Sequence, residues 1–320
     1  MNKVIEVDNL TKDYGDLRAV DGITFGVDEG EIFGFLGPNG AGKTTTIKML
    51  CGLLKPTSGR ARITGLDVAE KPMEIRKQIG LVFQTSSLDD RLTGRENLIF
   101  HSRLYNVPKK TEKERVAELS KRVGLYDRLD DRAKDYSGGM KRRLELIRGL
   151  IHHPHVLFLD EPTLGLDPQT RSYIWDYIQE LKSREEISIF LTTHYMDEVE
   201  LANRAAIIDK GEIIALDTVE ALKNQLGGDL IFLETDDNER SLKKLKDEFD
   251  IEIEQVDSGL KLTVEKGAQL IPQLTRVLSD SIKSINLHEP TMDDVFLHLT
   301  GKEIREAEAE DNSLEKRMMH

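Results

Sequence analysis

The stretch Glu31-Ile32-Phe33-Gly34-Phe35-Leu36-Gly37-Pro38-Asn39-Gly40-Ala41-Gly42-Lys43-Thr44-Thr45-Thr46-Ile47-Lys48-Met49 decides how the rest of the chain is read. An apolar, β-prone run from Ile32 to Leu36 ends at Gly37. Residues 37–44 fit G-x-x-x-x-G-K-[ST] through Gly37, Gly42, Lys43 and Thr44, and a helix-compatible run from Thr45 to Leu54 follows. Strand, glycine-rich loop and helix in that order are the setting of a phosphate-binding loop. Gly40 and Gly42 tolerate positive φ, so successive backbone N–H groups can curl into an anion nest. The N-terminus of the following helix adds partial positive charge. Lys43 can reach β- and γ-phosphates, and Thr44 can offer a hydroxyl to Mg2+. By itself the loop predicts a nucleoside triphosphate and says nothing of its use.

Composition narrows the setting. The chain has 320 residues, 38% hydrophobic and 32% charged, with a mean hydropathy of −0.42. This predicts a soluble protein of roughly two domains. No window offers the long uncharged apolar run of a membrane span, and Met1 to Asp8 lacks a signal-peptide core, so a cytoplasmic location is expected. The single cysteine, Cys51, excludes an internal disulfide and a cysteine metal cluster; between Leu50 and Leu53 it reads as a small packing residue in the helix. Net charge is −13, which argues against a nucleic-acid partner held by a basic field. Residues 217–300 hold 18 Asp and Glu against 9 Lys and Arg, an excess read as a solvated acidic face.

Taken in order, residues 4–8 and 20–27 alternate as antiparallel strands do. Tyr14 lies in the polar loop between them and suits either a stack on adenine or a turn. Arg60 to Thr64 is strand-like and residues 73–78 are helix-like. Ile79 to Gln84 reads as a buried strand ending on an amide, which can face Mg2+ or attacking water or serve as a loop residue. Residues 92–150 turn mostly helical, opening on a Thr93/Glu96 capping box. Ser137-Gly138-Gly139 then starts a long helix and forms a second anion-compatible helix end.

Val156 to Glu161 is a continuous apolar run ending in two acids. Such a run marks a strand covered on both faces, and its carboxyl end is where α/β sheets bind ligands. Asp160 there can support Mg2+, and Glu161 can polarise a water for attack on the γ-phosphate. Gly165 to Pro168, including Asp167, turns into a helix over 170–182. Ile187 to Thr193 is another buried strand, ending at His194, which is either a γ-phosphate contact or a structural histidine.

Together these residues identify a resemblance to the nucleotide-binding subunits of ATP-binding-cassette (ABC) transporters, across roughly residues 1–216. Seven signals stand in the family's order: an A-loop tyrosine (Tyr14), Walker A (37–44), Q-loop (Gln84), signature (136–140), Walker B (156–161), D-loop (Asp167) and switch histidine (His194). The usual signature Leu-Ser-Gly-Gly-Gln is here Tyr-Ser-Gly-Gly-Met, so Tyr136 and Met140 depart from it and Met140 removes a side-chain amide near the helix start. That departure, the stretch Leu92 to Leu98 and the ending Glu289 to Gly301 resemble the drug-resistance-type ATPases named for daunorubicin/doxorubicin export. The resemblance implies an α/β fold with a P-loop NTPase core, a RecA-like mixed sheet with helices, plus an antiparallel β subdomain and an inserted helical subdomain at about 92–150.

It also implies the chemistry. ATP and Mg2+ are the expected cofactors. Pro38, Asn39, Gly40, Ala41 and Thr45 join Gly37, Gly42, Lys43 and Thr44 around the nucleotide; Tyr14, Ser137, Gly138, Gly139 and Asp167 complete its site. Thr44, Gln84 and Asp160 are the expected metal contacts, with Glu161, His194 and Gln84 catalytic. Two chains, copies of this one or a paralogue, would pack head to tail, the signature of each covering ATP on the other. Closure would drive a separate membrane permease, placing the chain peripherally on the cytoplasmic face of the cell membrane.

Residues 217–300 read as β-α-β-β-α-β and a final helix at 291–299. The order is compatible with a small ferredoxin-like α+β domain, with Asp257-Ser258-Gly259 as a turn. No ligand motif stands out. A dimer-stabilising or shielding role is the plain expectation and a regulatory or substrate-sensing module the sharper one. Residues 301–320 are charged and poor in large apolar groups, a composition that predicts disorder. The alternative function is an ABC ATPase with a non-transport role; tandem cassettes, long coiled coils or zinc-site cysteines would favour it, and the sequence has none of these.

Overall fold

Strand β3 stands at the centre of the first unit, and its residues explain why. The computed structural model describes residues 2–301 except 186, 257 and 258, and leaves the side chains of 184, 185 and 280 undescribed. The chain divides into two compact units, with the break after Leu216.

In the first unit β1 (Lys3–Tyr14) and β2 (Leu17–Asp28) form the expected antiparallel pair. β3 (Ile32–Leu36), α1 (Lys43–Leu50), β4 (Ser58–Ile63) and the short β5 (Leu66–Asp67) follow. α1 is shorter than expected. Gly52 at φ +63° turns the chain away, so Cys51 caps the helix end rather than continuing it and is fully buried. Then come α2 (Pro72–Gln78), β6 (Ile79–Val82), α3 (Gly94–Leu104), α4 (Lys109–Arg122) and α5 (Gly138–Leu150). β6 stops at Val82, which leaves Gln84 in the following loop rather than at a strand end. β7 (Val156–Asp160), α6 (Pro168–Glu185), β8 (Ser188–Thr193), α7 (Met196–Val199), β9 (Arg204–Asp209) and β10 (Glu212–Thr218) complete this part.

The strands form two sheets here. One has the order β2-β1-β4-β5, and the other β10-β9-β3-β8-β7-β6, in which β3 is parallel to β8 and β9, and β7 to β6 and β8. Every residue of β3, β7 and β8 is buried, as a sheet covered on both faces requires. Successive side chains point to opposite faces. Phe33, Phe35, Phe158 and Phe190 join the apolar cluster of the antiparallel sheet, with Phe25 and Phe33 stacked at 5.5 Å. Ile32, Leu157, Leu159, Ile189 and Leu191 join the cluster of the helical block. The capping box forms: Glu96 N donates to Thr93 Oγ1 at 3.1 Å and Thr93 N to Glu96 Oε2 at 2.8 Å.

One aromatic stack in the helical block sets a pH dependence. Tyr105 and His152 stack at 3.8 Å, with His101 at 4.8 Å from Tyr105. Burial first, then the nearby Arg148, pushes His101 down to about 3; burial pushes His152 down to about 4. The unfolded imidazoles take up protons below about 6.5, whereas the folded ones stay neutral until pH 3–4. Stability from this stack is therefore complete above about pH 6.5 and lost as the pH falls toward 4, at up to about 1.4 kcal/mol per pH unit for each histidine. Urea unfolding at pH 5 and 7 is expected to show a smaller pH loss in His101→Phe and His152→Phe than in the parent.

The second unit contains α8 (Val219–Asn224), β11 (Asp229–Thr235), α9 (Asn238–Glu248), β12 (Glu252–Val256), β13 (Gly259–Val264), α10 (Gly267–Leu278), β14 (Ile282–His288) and α11 (Met292–Thr300). Its sheet order is β12-β13-β11-β14, with antiparallel neighbours throughout. This is the ferredoxin-like arrangement expected from the β-α-β-β-α-β order. Leu245 of α9 and Leu274 and Leu278 of α10 pack with Ile231, Leu233, Leu260 and Leu262 of the sheet. The expected turn at 257–259 falls partly, and the expected disordered tail almost wholly, outside the described residues.

Candidate functional site

The loop after β3 is shaped by its glycines. Gly40 and Gly42 have φ of +79° and +104°, and a Cβ on Gly42 would lie 2.5 Å from the Ala19 carbonyl oxygen. Only glycine fits there without displacing β2. The loop borders a cavity of about 260 Å³ lined by Ala19, Pro38, Asn39, Gly40, Gly42, Lys43, Thr44, Thr45, Gln84 and Glu161. Gly37 and Ala41 are loop residues behind this lining; Ala41 is 2% exposed and packs in the core.

Lys43 is 5% exposed. Its ammonium donates to the carbonyls of Gly37 at 2.7 Å and Pro38 at 2.9 Å and lies 3.3 Å from Glu161 Oε1. The Thr44 hydroxyl lies 3.1 Å from Asp160 Oδ2. Asp160 also accepts from Thr192 Oγ1 at 2.7 Å, which fixes the carboxylate.

Glu161 follows β7 with a φ of +48°. This left-handed backbone costs a non-glycine residue roughly 1–3 kcal/mol, so the surroundings must hold it. Its N–H donates to the carbonyl and hydroxyl of Thr192 at 3.1 and 3.2 Å. Gln84 Nε2 donates to Glu161 Oε2 at 3.3 Å, and His194 Nδ1 stands 3.4 Å from Oε1. Burial raises the carboxyl pKa, but the His194 contact and the Lys43 charge outweigh it and hold Glu161 below its ordinary value. The group is thus an ionised carboxylate at neutral pH.

A second cluster stands apart from this lining. Ser137 caps α5, accepting from Met140 N at 3.3 Å, and Met140 packs its side chain against the helical-block core in place of an amide. A Cβ on Gly139 would lie 2.7 Å from Thr170 Cγ2. Thr170 in turn donates its N–H and hydroxyl to Asp167 at 3.0 and 2.6 Å. The signature and Asp167 are therefore neighbours, with Ser137, Gly138 and Asp167 exposed, and none of them lines the loop's cavity. Tyr14 sits at the tip of the β1–β2 hairpin, 47% exposed, with Lys12 Nζ 5.3 Å from its ring centre, and is also outside the lining.

Sequence reasoning passed over Thr192, Arg142 and Glu198. Glu198 of α7 is 1% exposed. It accepts from Thr193 Oγ1 at 2.6 Å and from Thr163 Oγ1, and lies 3.4 Å from Arg171 Nη2. It thereby ties the backbone beside His194 to the segment after Glu161. The available signal was a pair of threonines closing an otherwise apolar strand.

Comparison with known proteins shows the family. Residues 20–164 match the "ABC transporter" family and residues 218–300 match the "ATP-binding protein DrrA1-3-like, C-terminal domain" family. The daunorubicin resistance ATP-binding protein DrrA2 of Streptomyces coeruleorubidus is 39% identical over 96% of this chain and 98% of its own. The Nod factor export ATP-binding protein I of Burkholderia orbicola (strain AU 1054) is 39% identical over 94% and 98%. Among solved structures, the dimeric post-hydrolysis state of the ATP-binding cassette MJ0796 bound to ADP and Pi superposes with a TM-score of 0.61 at 26% identity, covering 67% of this chain and 98% of that one. With its phosphate loop, acidic strand end and ferredoxin-like second unit, the chain belongs to the ABC transporter ATP-binding proteins of the daunorubicin-resistance type and is an ATPase.

Proposed function

We propose that this chain hydrolyses ATP to energise export of a small molecule through a separate membrane permease, and that it works as a head-to-tail dimer. The carrying observation is the division of the site. Lys43, Thr44, Asp160, Glu161, Gln84 and His194 converge on one cluster, while exposed Ser137 and Gly138 stand with Asp167 outside the cavity. A second chain, a copy or a paralogue, would bring its signature over the first chain's phosphate loop. Relatives named for drug resistance and for Nod factor export support an exporter. Among the described residues no helix is long and apolar enough to cross a membrane, so membrane attachment is assigned to the permease. The first 216 residues serve as the ATPase domain, and residues 217–300 as an accessory domain that stabilises or shields the dimer.

In this reading the loop N–H groups and Lys43 bind the phosphates, Tyr14 stacks on adenine, and Glu161 accepts a proton from the attacking water. His194 and Gln84 orient that carboxylate and the water. The Thr44 hydroxyl and the Asp160 carboxylate, 3.1 Å apart, are hard oxygen donors that suit Mg2+. When bound, Mg2+ supplies neutralisation of phosphate charge.

The test is recovery from membranes of the tagged chain with its partner, followed by ATPase assay with candidate cargo. A partner of about six spans, encoded beside this gene, and cargo-stimulated hydrolysis are expected. Recovery only as a soluble protein without a membrane partner would overturn the transport reading.

A further inference from the structure

We propose that Arg142 is the positioning residue of the hydrolytic step: one guanidinium from α5 fixes both the backbone that carries Glu161 and the backbone that carries Gln84. Arg142 lies five residues after Ser137 and is 6% exposed. Its Nη2 donates to the carbonyls of Glu161 at 2.9 Å and Asp160 at 3.2 Å. Its Nε donates to the carbonyl of Pro162 and its Nη1 to the carbonyl of Phe83. Three of those carbonyls surround the residue with φ +48°, and the fourth immediately precedes Gln84.

Arg142 does not itself line the cavity, and it bonds Glu161 through the backbone carbonyl, so it acts through its neighbours. Glu145, 3% exposed and 3.4 Å from Nη1, supplies the countercharge. The same Glu145 accepts from Ser87 N at 2.7 Å. α5 therefore grips the loop around Gln84 at residues 83 and 87 and the loop around Glu161 at residues 160–162. Arginine is the side chain that can do this: its planar fork carries five donors in fixed directions, whereas lysine offers one point charge.

The direction of Glu161 depends on this grip. Left-handed backbone at a non-glycine residue persists only where the surroundings over-determine it. Thr192 holds the N–H side of Glu161 and Arg142 holds the carbonyl side. In the dimer of the proposed function, the helix whose start meets the partner's nucleotide is also the helix that aims this chain's own base. The inference rests on the reading of Glu161 as that base, and its positioning content does not require the dimer.

The test uses the full-length protein with Arg142→Met and Arg142→Lys, measuring steady-state hydrolysis of Mg-ATP, equilibrium nucleotide binding and thermal stability. Displacing a catalytic group by about 1 Å can cost on the order of a hundredfold. Arg142→Met is thus expected to lower kcat by about 30- to 100-fold with KM and nucleotide affinity within about threefold. Arg142→Lys is expected to recover less than about a tenth of the parent kcat, because the charge returns without the fork. Gln84→Ala combined with Arg142→Met is expected to lose less than the product of the two single losses, since both act on the same pair of loops. A folded Arg142→Lys with kcat within about twofold of the parent would overturn the inference, as would losses of kcat and nucleotide affinity in equal measure. If Arg142→Met does not fold, Arg142→Lys and Glu145→Gln carry the test. Were Glu161→Gln to hydrolyse ATP at the parent rate, the reading of the base would fail instead.

Discussion

Glu161→Gln is expected to reduce ATP turnover by about 10²- to 10⁴-fold, the share a positioned base supplies, while nucleotide binding persists. The substitution keeps the shape of a side chain that is buried and flanked by Gln84, His194 and Lys43. It removes the proton acceptor and also releases Lys43 from its ion pair, leaving the ammonium to the phosphates. Affinity for ATP should therefore hold or tighten. A dimer that binds ATP and cannot hydrolyse it should also remain closed, so sedimentation velocity with ATP should show two chains together. Phosphate release in a single turnover measures the rate and titration calorimetry the binding. Turnover at the parent rate would remove Glu161 from the chemistry; loss of binding would make its role structural.

Lys43→Met should act on the other parameter. Charge-assisted hydrogen bonds contribute about 1.5–3 kcal/mol each, so losing the ammonium should weaken ATP binding by about a hundredfold. Methionine fills the volume left by a side chain that is 5% exposed, which keeps the fold intact. The change also removes the Lys43 charge, which opposes the effect of burial at Glu161, so that carboxyl shifts upward. In the parent its folded value is depressed: the stability it contributes is present above its unfolded value and lost as pH falls through the folded one. In Lys43→Met that contribution shrinks, and acid unfolding should begin at a higher pH. Fluorescent-nucleotide titration and acid unfolding followed by circular dichroism measure the two effects.

What could be read in advance was local or periodic. The run Ile32 to Leu36, its glycine loop, and the apolar strands ending at Asp160 and Thr193 carry their meaning within a few residues. The β-α-β-β-α-β order of the second unit does so as well. The positions of helix ends were less visible, as at Leu50, where Gly52 turns the chain. Arg142 was hidden because Lys141-Arg142-Arg143 reads as one solvated basic run. Folding separates its members: Lys141 pairs with Asp90 at 2.7 Å, Arg143 bonds the Val123 carbonyl at 2.8 Å, and Arg142 is buried against the backbone of Phe83, Asp160 and Glu161. Thr192 and Glu198 were hidden because the partners Asp160, Glu161, Thr163 and Arg171 lie in other segments of the chain.

Tyr136, a departure from the usual signature, and Gly94, in the stretch Leu92 to Leu98, share one space. The Tyr136 ring is buried and its hydroxyl donates to the Arg128 carbonyl at 2.7 Å. A Cβ at position 94 would lie 2.3 Å from that hydroxyl. The glycine that opens α3 is thus the socket for the tyrosine that precedes the signature. The two positions are sterically coupled: a side chain at 94 requires a smaller residue at 136, and a leucine at 136 would leave a hole beside Gly94.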